Sequence, residues 1–229
     1  MRDPRGAGSA HHGGVSGSPV DRRLEVVAER IGGWLDRFAG RHGPTSWTTD
    51  GTSVLVTAED GAIARCEVPF PPLLMADQEP YGGLAAHACT DRRVGVLLVR
   101  SGGFAAGVFE GRRLVASKVG SRQVHGRSAA GGWSQHRFAR RREGQVRVAQ
   151  GAAADVAARI LVPVATTLDA VVLGGDRRTV EAVMGDERLK PLRALAQERW
   201  LDVPDPKLTV LQSTPAAFRA VRIRLLDSR

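Results

Sequence analysis

Gly131, Gly132 and Gln135 are the residues whose types and spacing could do chemistry. The tip Ala129-Ala130-Gly131-Gly132 has no side chain larger than a methyl group. Two glycines let the backbone take positive φ and pass close to another molecule. A glutamine does not titrate near neutral pH, so Gln135 cannot be a general base. Its carbonyl can orient a water and its amide can donate. Backbone N–H groups in a glycine-rich tip can hold a developing oxyanion, each donor being worth roughly 3–4 kcal/mol of barrier. The chemistry on offer is hydrolysis by positioning and electrostatics. A bare Gly-Gly pair also marks a plain flexible loop, and the residues around it must decide between the two. His136 could titrate near pH 6–7, but on a helix it points about 100° away from Gln135. His125 reads as an RNA contact or a solvated side chain. Trp133 either stacks on a base or anchors the loop.

Behind the tip stands a basic block. Residues 111–150 hold ten Arg and Lys (Arg112, Arg113, Lys118, Arg122, Arg127, Arg137, Arg140, Arg141, Arg142 and Arg147) against one acid, Glu143. That local surplus of nine equals the formal net charge of all 229 residues, +9, so the rest of the chain is near neutral. A compact basic patch is the electrostatic footprint of a polyanion. Arg137, Arg140 and Arg141, at i, i+3 and i+4, share one face of a helix. Solvated charged faces normally alternate in sign, and this one does not. Lys118, Arg122, Arg127, Trp133, Arg137, Arg140, Arg141 and Arg142 are therefore the expected RNA contacts. With 30 Arg and 3 Lys, the phosphate contacts would be forked and bidentate.

Several elements must position this block. Residues 1–20 are rich in Gly, Ser, His and Pro and should be disordered. His11-His12 falls short of the about four ligands a structural metal site needs. Spacing predicts a helix over Asp21–Ala39, with Leu24, Val27, Ala28, Ile31, Trp34, Leu35 and Phe38 on one face. Strands come next at Ser53–Ala58 and Ala62–Val68, with Asp60-Gly61 as the hairpin step. The Pro- and Gly-rich stretch Pro69–Asp91 reads as a connection and domain boundary. Beyond it lies an antiparallel meander at Arg93–Arg100, Phe104–Glu110 and Arg113–Val119, then a loop to Gly132. A helix of about 28 residues, Ser134–Leu161, would be ~42 Å long; Gly144 and Gly151 weaken it by ~1 kcal/mol each relative to Ala. Leu168–Leu173 is a strand, Thr179–Met184 a helix continued or repeated by Leu189–Glu198, and Leu208–Gln212 and Ala220–Leu226 closing strands. This order is α/β with a mixed sheet. The expected organisation is a disordered tail (1–20), a small α+β N-terminal domain (21–91) and a catalytic domain (92–229).

Other chemistries are weakly supported. Gly174-Gly175-Asp176 lies between a strand and a helix, but no P-loop or G-x-G-x-x-G surrounds it, so it reads as an ordinary βα turn. The acids form no metal-ligand cluster, which argues against a two-metal nuclease; no metal or cofactor is expected. Cys66 and Cys89 form no ligand pair and fit a reducing cytoplasm. No apolar run approaches the ~20 residues of a membrane span, and no apolar signal segment opens the chain.

Gly131-Gly132 with the nearby Gln135, and then Arg137-Phe138-Ala139-Arg140, resembles the Gly-Gly-Gln loop and its succeeding helix in the middle domain of eukaryotic and archaeal class I translation release factors. The resemblance covers about residues 92–229, including the order of strands, loop, long helix and strand–Gly–helix at Val171–Met184. In release factors Gln directly follows the two glycines, whereas here Trp133 and Ser134 intervene. That displaced Gln is similar to the release-factor-like VLRF branch, which includes the eukaryotic ribosome quality-control factor and its actinobacterial relatives. The resemblance implies a ribonuclease-H-like mixed-sheet domain whose loop enters the peptidyl-transferase centre of the large ribosomal subunit. It implies peptidyl-tRNA as substrate, rRNA as partner and hydrolysis of the ester joining peptide to tRNA. Nothing in residues 1–91 resembles a codon-reading domain, so rescue of stalled chains is expected rather than stop-codon termination. Cleavage within the tRNA acceptor end, and non-catalytic docking on the ribosome, remain alternatives.

Overall fold

The computed structural model describes residues 20–74, 79–100, 102–122 and 134–227. They form a mixed α/β structure with two five-stranded sheets. The expected disorder of residues 1–20, His11-His12 included, falls almost wholly outside the described residues.

The first sheet is antiparallel throughout. It comprises β1 (Val20–Val26), β2 (Thr45–Thr49), β3 (Ser53–Ala58), β4 (Ile63–Glu67) and β10 (Val221–Asp227), in the order β1-β10-β4-β3-β2. One face is covered by α1 (Ile31–His42) and α2 (Leu84–Cys89). Ile31, Leu35 and Phe38 bury the inner stripe of α1, each contributing roughly 1.5–3 kcal/mol by leaving water.

Three expectations change here. The helix expected from Asp21 begins only at Ile31, after a 3-10 turn at Ala28–Arg30. Residues 20–26 are instead β1, paired along its length with β10. The run Asp-Arg-Arg-Leu-Glu-Val has period two as well as a helical reading, and a partner two hundred residues away decides between them. Asp21 accepts from Arg224 Nε and Nη2 at 3.1 and 2.9 Å, and Glu25 accepts from Arg222 Nε at 2.6 Å. β10, expected as a closing strand, does close a sheet, but it is this one. The connection Pro69–Asp91 contains α2, whose Leu84 and Ala88 join the first core.

The second sheet has the order β7-β6-β5-β8-β9. β5 (Arg93–Arg100), β6 (Gly103–Glu110) and β7 (Arg113–Ser121) are the antiparallel meander. β8 (Ala170–Gly175) runs parallel to β5, and β9 (Ala196–Leu201) parallel to β8. α3 (Ser134–Leu161), α4 (Arg177–Met184) and the short α5 (Lys190–Arg193) pack on one face. α6 (Leu208–Phe218) packs on the other.

Two segments differ from expectation. Leu208–Gln212 is not a strand but the start of α6, with Leu211, Thr214, Pro215 and Phe218 buried at helical spacing. Pro215 inside the helix has no N–H for the Leu211 carbonyl; the Thr214 hydroxyl donates to it instead, at 2.7 Å. Leu189–Glu198 is helical only through Arg193 and then becomes β9. Trp200 secures that strand by donating from Nε1 to the Gly175 carbonyl at 3.0 Å.

Glu143–Thr167 is, by length and composition, apolar enough to cross a membrane, although it contains no long unbroken apolar run. Its inner face, Ala153, Ala154, Ala157 and Leu161, is buried in the second core. A core helix passes the same compositional test.

Candidate nucleic-acid interface

Antiparallel packing fixes where the basic block goes. Arg100 pairs with Gly103, and Gly103 with Ser121, so β7 ends at the same edge of the sheet as β5. Arg122 comes next and is exposed at that edge. The carboxyl ends of the parallel strands β5 and β8 lie there too, the usual ligand-facing edge of such a sheet.

α3 runs towards the same edge from the other end. Leu161 lies beside Gly95, near the start of β5. Ala152 and Val156 lie beside Phe104, Gly120 and Arg122, near the edge. From Gly95 to Arg100 the strand rises about 17 Å. From Leu161 back to Ala149, its first buried residue among those described, the helix rises about 18 Å. The helix has then crossed the sheet. Ser134–Val148 extends the helix by about 22 Å before Ala149. Glu143, Gly144, Arg147 and Val148 are exposed, Val148 at 61%. α3 is thus a shaft rooted in the core by alanines and leucine from Ala149 onward, with Gln145 and Val146 half-buried just before that anchor.

The expected site residues divide accordingly. Gln135, Arg137, Arg140, Arg141 and Arg142 are helical backbone in the amino-terminal half of α3. Gly131, Gly132, Trp133, Arg127 and His125 lie outside the described residues. Lys118 and Arg122 are exposed on and just after β7.

At the root of the shaft, a groove of about 520 Å3 runs between β7 and α3, lined by Phe104, Lys118, Gly120, Arg122, Asp155 and Arg159. Asp155 is engaged by Arg188 Nη1 at 2.8 Å, and Arg188 also grips Asp186 at 2.7–3.0 Å. Lys118, Arg122 and Arg159 make no ion pair among the described residues, so the groove is net basic. Sequence reasoning misses Arg159 because it sits after an alanine-rich run far from the arginine block. Its spacing from Asp155, four residues, suggests an ordinary helix-surface pair.

Other chemistry finds no support among the described residues. No group of His, Cys, Asp and Glu there could hold a metal. Burial pushes the Cys66 thiol up to about 12, so it is no nucleophile near neutral pH. Gly174-Gly175-Asp176 is the βα turn its sequence suggested. Asp176 caps α4, accepting from Thr179 N at 2.8 Å, and the Thr179 hydroxyl and amide hold its carboxyl below the usual range.

A family model described as Actinobacteria/chloroflexi VLRF1 release factor matches residues 92–224, more than half of the chain. Among solved structures, the chain is similar to the crystal structure of an archaeal translation termination factor, aRF1. The identity is 17%, covering 82% of this chain and 54% of that one, with a TM-score of 0.38. It is also similar to the Vms1 mitochondrial localization core, at 10% identity over 74% of this chain and 75% of that one, with a TM-score of 0.41. The chain thus spans about half the length of the archaeal factor. No curated protein matches.

Proposed function

The chain belongs to the VLRF1 release factor family of Actinobacteria and Chloroflexi, and from that premise we propose that it hydrolyses peptidyl-tRNA on stalled ribosomes or large subunits. The observation that carries this reading is the length of α3. The segment Ser134–Val148, which carries Arg137, Arg140, Arg141, Arg142 and Arg147, runs for about 22 Å before the first buried residue among those described, Ala149. Its amino-terminal end comes directly after Gly131, Gly132 and Trp133. Such a part can carry a slim tip into an RNA-lined cavity while the body stays outside.

In this reading the arginines, with Lys118, Arg122 and Arg127, bind rRNA and tRNA phosphates. Trp133 lies at the base of the tip, stacking on a base or anchoring the loop. Gly131 and Gly132 bring backbone N–H groups to the developing oxyanion at the peptidyl ester carbon. Gln135 orients the attacking water through its amide. Water adds to the ester carbonyl, the bond to the terminal ribose oxygen breaks, and that oxygen takes the proton, giving free peptide and intact tRNA. No cofactor enters this chemistry.

The test loads large subunits with labelled peptidyl-tRNA and compares the chain with Gln135→Ala. Expected is free peptide with an intact CCA end, slowed roughly a hundredfold by the substitution, with binding retained. Peptide still attached to CCA would make the chain an acceptor-end nuclease. Binding without any Gln135-dependent product would make it a docking factor.

A further inference from the structure

The first sheet has one face covered by α1 and α2; its other face meets β9 at Arg222, whose Nη2 donates to the Trp200 carbonyl at 3.4 Å, and Arg65, Glu67 and Arg222 line a pocket there with Glu198 and Arg199. Residues two apart in a strand share a face. Leu24, Val26, Ile223, Leu225, Ala64, Cys66, Val54 and Val56 pack beneath the helices, so the alternate residues look outward.

Two adjacent rows cross that outward face, and their charges are arranged differently. In one, Glu25 is opposite Arg222 and Arg222 opposite Glu67, a ladder of alternating sign. In the next, Arg23 is opposite Arg224 and Arg224 opposite Arg65, three arginines in register across neighbouring strands. Strands lie about 4.8 Å apart, and like charges directly opposite are destabilising. Asp21 holds only the middle guanidinium, that of Arg224. Arg23 and Arg65 make no ion pair among the described residues, and all three arginines are exposed. The row continues into Leu55 and Thr48, with Thr57 and Ser46 on the adjoining row.

We propose that the exposed arginine row of this face is a second RNA-binding surface, on which Arg23, Arg224 and Arg65 grip a phosphate backbone. A repulsive row is relieved when anions seat along it, and guanidinium forks match phosphate oxygens in pairs. Ser46, Thr48 and Thr57 add hydroxyl donors. The apolar side chains beside the row, Leu55, Ile63 and Leu226, include no aromatic anchor of the kind protein interfaces are built on. The surface lies outside the tip and shaft, and it does not require Gln135 to act.

The experiment compares the full chain with Arg23→Glu/Arg65→Glu. The control, Arg30→Glu/Arg41→Glu, changes the same charge at exposed positions on and beside the covering helix. Binding of fluorescein-labelled 20-nucleotide oligouridine and of purified large subunits is measured over a salt series, alongside the thermal midpoint. Expected for the row variant is oligouridine affinity roughly tenfold below the control, with a salt slope shallower by about 1.4 for two lost contacts. Its thermal midpoint should be equal or higher, because the repulsion is gone. Gln135→Ala should leave these readouts unchanged, which separates this surface from the hydrolytic reading. A row variant that binds oligouridine like the control overturns the proposal. So does a lowered midpoint that accounts for the lost affinity. Loss of large-subunit binding with oligouridine binding intact would assign the face to an acidic protein instead.

Discussion

Leu161 of α3 lies against Gly95 of β5. A Cβ on Gly95 would meet Leu161 Cδ2 at 3.4 Å and Leu168 Cδ1 at 3.0 Å. The missing side chain lets the carboxyl-terminal end of the shaft seat directly on the strand. Because the root is fixed at the start of β5, the helix runs towards its far end, beside Arg122.

The shaft arginines should set RNA affinity and its salt dependence together. Arg140→Glu/Arg141→Glu removes two cations from the amino-terminal half. The plot of log affinity against log salt for large subunits should become shallower by about 1.5. Thermal stability should change little, since the core anchor begins at Ala149. An unchanged slope would show that these side chains do not touch phosphate.

Gly144 and Gly151 should accept alanine with a gain in stability. A Cβ at either position meets nothing within 4 Å. Ala loses less entropy than Gly in a helix, so each substitution should stabilise α3 by about 0.5–1 kcal/mol. Thermal unfolding of Gly144→Ala and Gly151→Ala checks this. A lower midpoint would mean that the shaft bends at the glycine.

Gly175 should not be replaceable. Its φ is +98° and a Cβ there would overlap the Val99 carbonyl. Gly175→Ala should cost about 3 kcal/mol, from left-handed strain and overpacking. The unfolding midpoint in urea measures it. Loss of fluorescence from Trp200, which donates to the Gly175 carbonyl, would report the same disruption.

His87 should make stability fall with acid. Desolvation holds its pKa below the ordinary 6.5, with the Arg92 guanidinium acting in the same direction against the bond to the Pro69 carbonyl. The folded state therefore binds fewer protons than the unfolded state as pH falls through 6.5. Its contribution is full above that value and is lost as pH drops to the folded pKa. Urea unfolding between pH 7.5 and 5 should show the decline, and His87→Gln should flatten it.

Legibility tracks the range of the contacts. The meander and Ser134–Leu161 are readable because dense β runs broken at Gly102-Gly103 and Gly111, and a long alanine-rich stripe, carry local signals. Residues 20–26 mislead because Leu24 and Val26 fit both periods, and only pairing with β10 makes them a strand. Leu208–Gln212 misleads because three apolar residues in a five-residue stretch are ambiguous. The buried stripe continuing to Phe218 resolves it as a helix. Of the candidate site, the arginine block and Gln135 are proposed from composition and spacing, whereas Arg159 is not. It lines the groove only because α3 packs on β7, and Asp155, four residues before it, is engaged by Arg188 from 33 residues away.

Residue order alone carries the basic block behind a glycine tip, and the membership of residues 92–224 in a release factor family. Both are written in residues that are neighbours along the chain. Folding in three dimensions decides which part of the long helix is anchored on the sheet, because that depends on where Leu161 meets Gly95. Folding also brings Arg23, Arg65 and Arg224 into one row, since strand register is set by pairing across the whole chain.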